Sequence, residues 1–139
     1  MIKLVLVNPR MPLHIDLLYD LLSERTPEQS ISHKEMPSYD EHIEFVKSNP
    51  YLCWYLISAE GGTAGSIYLT RDSEIGIFIF KTHQGKGYAR EAIKELMTRH
   101  SPPFYANVNP ANTASQKLFS DLGFNMIQYT YAIGEDDVE

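Results

Sequence analysis

Apolar residues fall along the chain in short blocks whose period alternates between that of a strand and that of a helix. Ile2 to Val7 reads as a first strand, ended by Asn8-Pro9 and Pro12. Leu13, Leu17, Leu18, Leu21 and Leu22 then recur at helical steps, which predicts an amphipathic helix with those leucines on its buried stripe. From Thr26 to Pro37 the sequence is polar and carries two prolines, so it reads as a loop. Ser38, with Glu41 three places on, has the form of a capping box and predicts a second helix running to about Asn49.

Tyr51 to Ala59 and Thr63 to Leu69 form a hairpin pattern around Glu60-Gly61-Gly62. Arg71-Asp72-Ser73 turns the chain into Glu74 to Phe80, whose nearly unbroken apolar run predicts a central strand covered on both faces. A helix follows from about Gly87 to Arg99, with Ala92, Ile93, Leu96 and Met97 on one stripe, closed by Pro102-Pro103. Phe104 to Val108 reads as a short strand, and Asn109-Pro110-Ala111-Asn112 leads into a helix ending near Leu122-Gly123. Asn125 to Ile133 alternates as a last strand would. The expected order is β-α-α-β-β-β-α-β-α-β, an α/β chain with a mixed sheet.

Composition narrows the function. The 139 residues, 43% of them hydrophobic, suit a single domain spanning 1–139 with one core. A formal charge of -6 without a dense Lys/Arg run argues against nucleic acid or an anionic membrane as partner. The single cysteine, Cys53, cannot form an internal disulfide and suits a reducing compartment. The apolar start stops at Asn8-Pro9, short of a signal core or a membrane span, so the expected location is cytoplasmic. The acidic end from Gly134 to Glu139 reads as a solvated tail.

Candidate chemistry begins at His83-Gln84-Gly85-Lys86-Gly87-Tyr88-Ala89, a glycine-bearing turn between a strand and a helix. Such a turn presents free backbone N–H groups at the positive end of a helix dipole, a ready site for an anion. Gly85 and Gly87 let the backbone take positive φ and approach a ligand closely. At about 1.5–3 kcal/mol for each hydrogen bond to a charged group, three or four amides could hold a pyrophosphate with no metal. Lys86, Arg90 and Lys81 would supplement them. Neither a P-loop nor a dinucleotide fingerprint fits, because Gly87 lacks the following Lys-Ser/Thr and Arg90 stands where the fingerprint needs glycine. The plainer alternative is a tight connection without a ligand.

A second segment, Asn112 to Phe124, has the grammar of a helix, with Asn112 as N-cap and Gly123 as stop. The two segments together resemble the GCN5-related N-acetyltransferase (GNAT) superfamily. Gln84-x-x-Gly87-x-Ala89 is similar to its first signature, and Asn112-x-x-Ser115-x-x-Leu118-Phe119-x-x-x-Gly123-Phe124 to the motif that follows. The resemblance implies a mixed, mostly antiparallel central sheet flanked by helices, here lacking the last strand of most relatives. It also implies acetyl-CoA as co-substrate, with the pyrophosphate on the backbone of Gln84, Gly85, Lys86, Gly87, Tyr88 and Ala89. The pantetheine would pair with Ile77, Phe78 and Ile79, and Asn112, Ser115 and Phe119 would line the other side. The missing strand leaves the acceptor wall open or completed by a second subunit in a homodimer.

Acyl transfer needs a neutral amine, and an alkyl amine of pKa near 10.4 is only about one part in a few thousand neutral at pH 7. Glu74, His33 and His42 are the candidate bases. Their plainer readings are a solvated carboxylate, a surface histidine and a satisfied core histidine. Many relatives carry a tyrosine where this chain has Phe119, and a phenyl ring cannot donate a proton. Tyr129 and Tyr131 are the candidate substitutes, Tyr131 first. The resemblance implies transfer to a small primary amine, with an amino sugar as one acceptor class. A non-catalytic acyl-CoA-binding module and a protein or peptide N-acetyltransferase are the alternatives.

Overall fold

The computed structural model describes residues 1–25 and 36–134. His33 and most of the acidic tail lie outside the described residues. The elements are β1 (Lys3–Leu6), α1 (Pro12–Glu24), α2 (Tyr39–Lys47), β2 (Cys53–Ala59), β3 (Gly62–Leu69), β4 (Glu74–Ile79), α3 (Tyr88–Arg99), β5 (Tyr105–Ala106) and α4 (Thr113–Asp121), with a 3-10 turn at Lys81–His83. They form one five-stranded sheet in the order β1-β2-β3-β4-β5. The first three pairings are antiparallel and β4 with β5 is parallel.

The helices cover both faces. On one side Ile77 and Ile79 of β4 join the core built on Ile57, Ile67, Ile93 and Leu96. On the other, Phe78 packs with Ile15, Leu18, Leu21 and Val46 of α1 and α2. At about 1.5–3 kcal/mol for each large apolar side chain fully buried, these two layers supply most of the driving force for folding. The expected stripe of α3 is borne out at Ala92, Ile93 and Leu96, all fully buried. That of α1 is rotated: His14, Ile15, Leu18 and Leu21 are buried, while Leu13 is 61% exposed. The cause is local, since the Asn8 N–H donates to His14 Nδ1 and holds that ring inward. The capping box of α2 is complete, with Ser38 Oγ accepting from the Glu41 N–H at 3.1 Å and Glu41 Oε1 from the Ser38 N–H at 3.0 Å.

Two expectations are corrected. The middle strand is β3, and β4 lies one strand in from the edge. Both faces of its apolar run meet a core, as expected, but the strand also borders a cleft, and Ile77, Phe78 and Ile79 are only half-buried. The segment 125–133, expected as a strand, pairs with no strand among the described residues, and Met126, Ile127, Tyr129, Tyr131 and Ile133 are all largely exposed. Alternation is necessary for a half-buried strand, but a strand also needs an edge to pair with. The outer strand here, β5, is only two residues long.

Candidate active site

The glycine turn follows β4 directly. Gly85 and Gly87 have φ of 77° and 81°, the left-handed region in which side chains with a Cβ are strained. Apart from the glycine and its chain neighbours, no atom lies within 4 Å of where a Cβ would stand on either, so the space there is open. Gly87 caps α3 through its backbone, and the first N–H groups of that helix have no intrahelical partner. The Gln84 side chain folds back and donates to the Ile79 carbonyl at 3.1 Å, which ties the turn to the strand. The glutamine of the motif thereby gains a structural reason.

Beyond the turn, β4 and β5 diverge. They pair only at Glu74 with Tyr105 and Ile75 with Ala106, after which Asn107, Val108 and Asn109 line a cleft opposite Ile77, Phe78 and Ile79. On that side β4 has no strand partner past Ile75 among the described residues. An unpaired strand edge inside a cleft is a template for another extended, amide-bearing chain. The cleft encloses about 1120 Å³ and is continuous with the glycine turn and with the start of α4. There the Asn112 side chain accepts from the Ser115 N–H at 3.1 Å. Phe119 reaches the cleft wall but belongs to the core, edge-on to Phe124 at 5.1 Å.

The other end of the cleft lies against the sheet face under α1 and α2. Register puts Trp54, Tyr68 and Gly76 in one row across β2, β3 and β4. Tyr51 stacks flat on Tyr68 with ring centroids 3.8 Å apart, and Trp54 stands edge-on to Tyr51 at 4.8 Å. Burial pushes both phenols above their ordinary range. The Arg25 guanidinium stands over Phe78 at 5.9 Å from the ring centre, and loss of hydration lowers its pKa. At the splay of β4 and β5, Asn107 Nδ2 donates to Glu74 Oε2, and the Glu74 N–H is held by Thr70 Oγ1 at 3.0 Å.

The glycine turn and the aromatic row thus lie on one continuous cleft. A GNAT acetyltransferase domain model matches residues 3–125. The chain belongs to the GNAT family. Among solved structures this GNAT domain is similar to a domain from Methanocaldococcus jannaschii, at 22% identity over 99% of this chain and 94% of that one, TM-score 0.77. It is also similar to an acetyltransferase from Thermus thermophilus, at 18% identity over 92% and 89%, TM-score 0.73. A third similar structure is the spermidine N-acetyltransferase from Vibrio cholerae in complex with CoA and spermine, at 19% identity over 88% and 79%, TM-score 0.72. No curated protein matches at a significant level. At these identities the structural likeness establishes the GNAT fold.

Of the residues singled out in the sequence, Glu74, His42, Ile77, Phe78, Ile79, Gln84, Gly85, Gly87, Tyr88, Ala89, Asn112, Ser115 and Phe119 all line the one cleft. Lys86 lies exposed in the same turn. His42 lines it from a packed position: it is 2% exposed, and its Nε2 bonds the Ile15 carbonyl at 2.9 Å. Burial lowers its pKa, so the ring is neutral at pH 7. Tyr131 is 90% exposed and is not among the residues that line the cleft. Sequence reasoning missed Arg25, Tyr68 and Asn107. Tyr68 was within reach, since it shares the period-two face of Ser66 and Thr70. Arg25 and Asn107 follow the ends of elements, where no periodicity marks them.

Proposed function

We propose that this protein is an N-acetyltransferase that moves the acetyl group of acetyl-CoA to the primary amine of a small molecule by direct transfer. The observation that carries the reading is the continuity of the cleft, which runs from the open glycine turn along the unpaired edge of β4 to the Glu74 carboxylate. The chain fits acetyl-CoA on features of its own. The backbone N–H groups from Gly85 to Ala89, with Lys86 and Arg90 beside them, suit a pyrophosphate. The edge of β4 past Ile75 that borders the cleft suits the amides of pantetheine, and Asn112 and Ser115 line the same cleft. The co-substrate supplies an activated acetyl thioester. Holding it and an amine in line contributes roughly 7–11 kcal/mol, and general base assistance about 10²–10⁴-fold. Positioning therefore dominates.

Glu74 is the base in this reading, taking the amine proton directly or through one water. Asn107 and Thr70 fix its orientation, so the carboxylate meets the substrate in one geometry. His42 holds α1 and α2 together under the acceptor end and keeps that wall in place. No proton donor is needed at Phe119, because a thiol of ordinary pKa near 8.5 is an adequate leaving group as the thiolate.

The test is to mix the purified protein with acetyl-CoA and a panel of amines and follow free thiol. The panel holds amino sugars, polyamines, amino acids and peptides. Thiol release with one small amine supports the reading. Tight CoA binding without release across the whole panel would support a non-catalytic binding module instead. Release confined to peptides would move the assignment to protein acetylation.

A further inference from the structure

Acetyl transfer builds up a negative charge, and the cleft holds a hydroxyl placed to meet it, an inference that rests on the acetyltransferase reading just given. When an amine attacks a thioester, the charge gathers on the carbonyl oxygen. Phe119 has no donor to offer it, Tyr131 is not among the residues that line the cleft, and His42 Nε2 is taken by the Ile15 carbonyl. Of the tyrosines that line the cleft, Tyr88 begins α3 beside the glycine turn, whereas Tyr51 and Tyr68 stack on each other at the far end. Tyr68 faces Gly76 in the register of β3 and β4, and its ring and hydroxyl fill the space where a Gly76 side chain would lie. Gly76 is the first residue of β4 past the last pairing with β5, at Ile75. The hydroxyl therefore stands over the closed end of the splay. By the period of two it lies on the same sheet face as Glu74, near enough to feel that charge and the charge of Arg25. An extended chain that follows β4 from the glycine turn must end there, because β5 occupies the edge beyond.

We propose that Tyr68 is a catalytic residue, its O–H donating to the thioester carbonyl oxygen and holding the negative charge that forms there as the amine at Glu74 attacks. The amine lone pair forms the C–N bond while the carbonyl π pair moves onto oxygen, against Tyr68. Collapse restores the C=O bond, breaks the C–S bond and sends that electron pair to sulfur, and the proton on nitrogen goes to Glu74. Tyr68 keeps its own proton throughout. It has that proton to share: burial raises the pKa of both stacked phenols, and their hydrogen bond raises Tyr51 further while it pulls Tyr68 down. Those are the responses of a donor and an acceptor, so Tyr51 donates to the Tyr68 oxygen and leaves the Tyr68 O–H free to donate elsewhere. Tyr51 is thus a positioning residue for the Tyr68 hydroxyl. The full charge on oxygen exists only beyond the ground state, so the hydrogen bond acts on kcat and little on binding.

Tyr68→Phe tests the proposal, since it keeps the ring over Gly76 and removes only the hydroxyl. With whichever amine the wild type turns over, kcat should fall by about 10²–10³-fold, the effect of deleting one such donor. The KM of that amine and the calorimetric affinity for CoA should stay within about twofold, as for a group that acts only in the transition state. The CoA affinity also shows that the fold is intact. The kcat profile of Tyr68→Phe between about pH 6 and 9 should run below the wild type and parallel to it, because the phenol stays protonated over that range. Tyr51→Phe, which leaves the Tyr68 O–H in place, should cost far less. An unchanged kcat in Tyr68→Phe, an effect carried by the amine KM, an alkaline limb that vanishes with the hydroxyl, or an equal loss in Tyr51→Phe would overturn the role of Tyr68. Each of those outcomes leaves the transferase reading standing, because the wild type still releases thiol. A wild type that releases none with any amine would sink that reading and the role of Tyr68 together.

Discussion

The Tyr68 ring lies so flat across Gly76 that a Cβ on Gly76 would stand 1.9 Å from Tyr68 Cζ. The two are direct partners in the register of β3 and β4. A large side chain thus leans over a position of the neighbouring strand that carries none, and both residues line the cleft. Gly76→Ala must push Tyr68 away, and forced overpacking of this kind costs about 1–3 kcal/mol. The expected outcome is a lower denaturation midpoint and a raised acceptor KM. Removing the obstructing ring in Gly76→Ala/Tyr68→Ala should return part of the stability that Gly76→Ala loses, so that the two changes are not additive. Simple additivity would show that the added methyl and the Tyr68 ring do not meet.

The left-handed turn makes a separable prediction. Gly87→Ala places a Cβ at φ 81°, which costs about 1–2 kcal/mol. If the turn relaxes instead, its amides no longer converge. CoA affinity measured by calorimetry should fall by about tenfold or more, as expected from losing one hydrogen bond to a charged group. Lys86→Ala keeps the backbone and removes one exposed charge, so its effect should be smaller and should shrink further in high salt. A larger effect from Lys86→Ala would mean that side chains rather than backbone hold the anion.

Acid should weaken the fold through His42. Its folded pKa lies below the ordinary value because burial disfavours the charged ring. The unfolded chain takes up a proton near pH 6.5 while the folded chain does not. The stabilising effect of the neutral ring is therefore complete above about pH 6.5. It declines as pH falls from there toward the folded pKa, with a slope of at most about 1.36 kcal/mol per pH unit. His42→Gln retains an N–H for the Ile15 carbonyl and removes the titration. The difference in unfolding free energy between wild type and His42→Gln should shift against the wild type between about pH 7 and 5. Parallel curves for the two proteins would exclude His42 as the source.

The cofactor end was legible in the sequence because it is made of local rules. A glycine needed for positive φ, an N-cap at Asn112 and a helix start at Tyr88 are each decided within a few residues. The acceptor end is made of register. That Trp54, Tyr68 and Gly76 share a row depends on how three strands align, which no single segment encodes. The same distinction accounts for 125–133, where alternation was visible but the want of a pairing edge was not. It also accounts for α1, where leucines at helical spacing suggested one face and the His14 bond to Asn8 selected another.

In the proposed mechanism Glu74 takes the amine proton. Glu74→Gln keeps the size and an acceptor oxygen, but its amide cannot take a proton at neutral pH. Under the proposed mechanism kcat should fall by about 10²–10⁴-fold while CoA binding is unchanged. The residual rate should then depend only on how much amine is neutral. It should climb about tenfold for each pH unit until the amine pKa, near 10.4 for an alkyl amine, and so approach the wild type in alkali. Asn107→Ala, which loosens the carboxylate without removing it, should give a smaller fall in kcat and keep the wild-type pH dependence. A pH profile for Glu74→Gln that merely parallels the wild type would show that the carboxylate places the substrate and takes no proton from it.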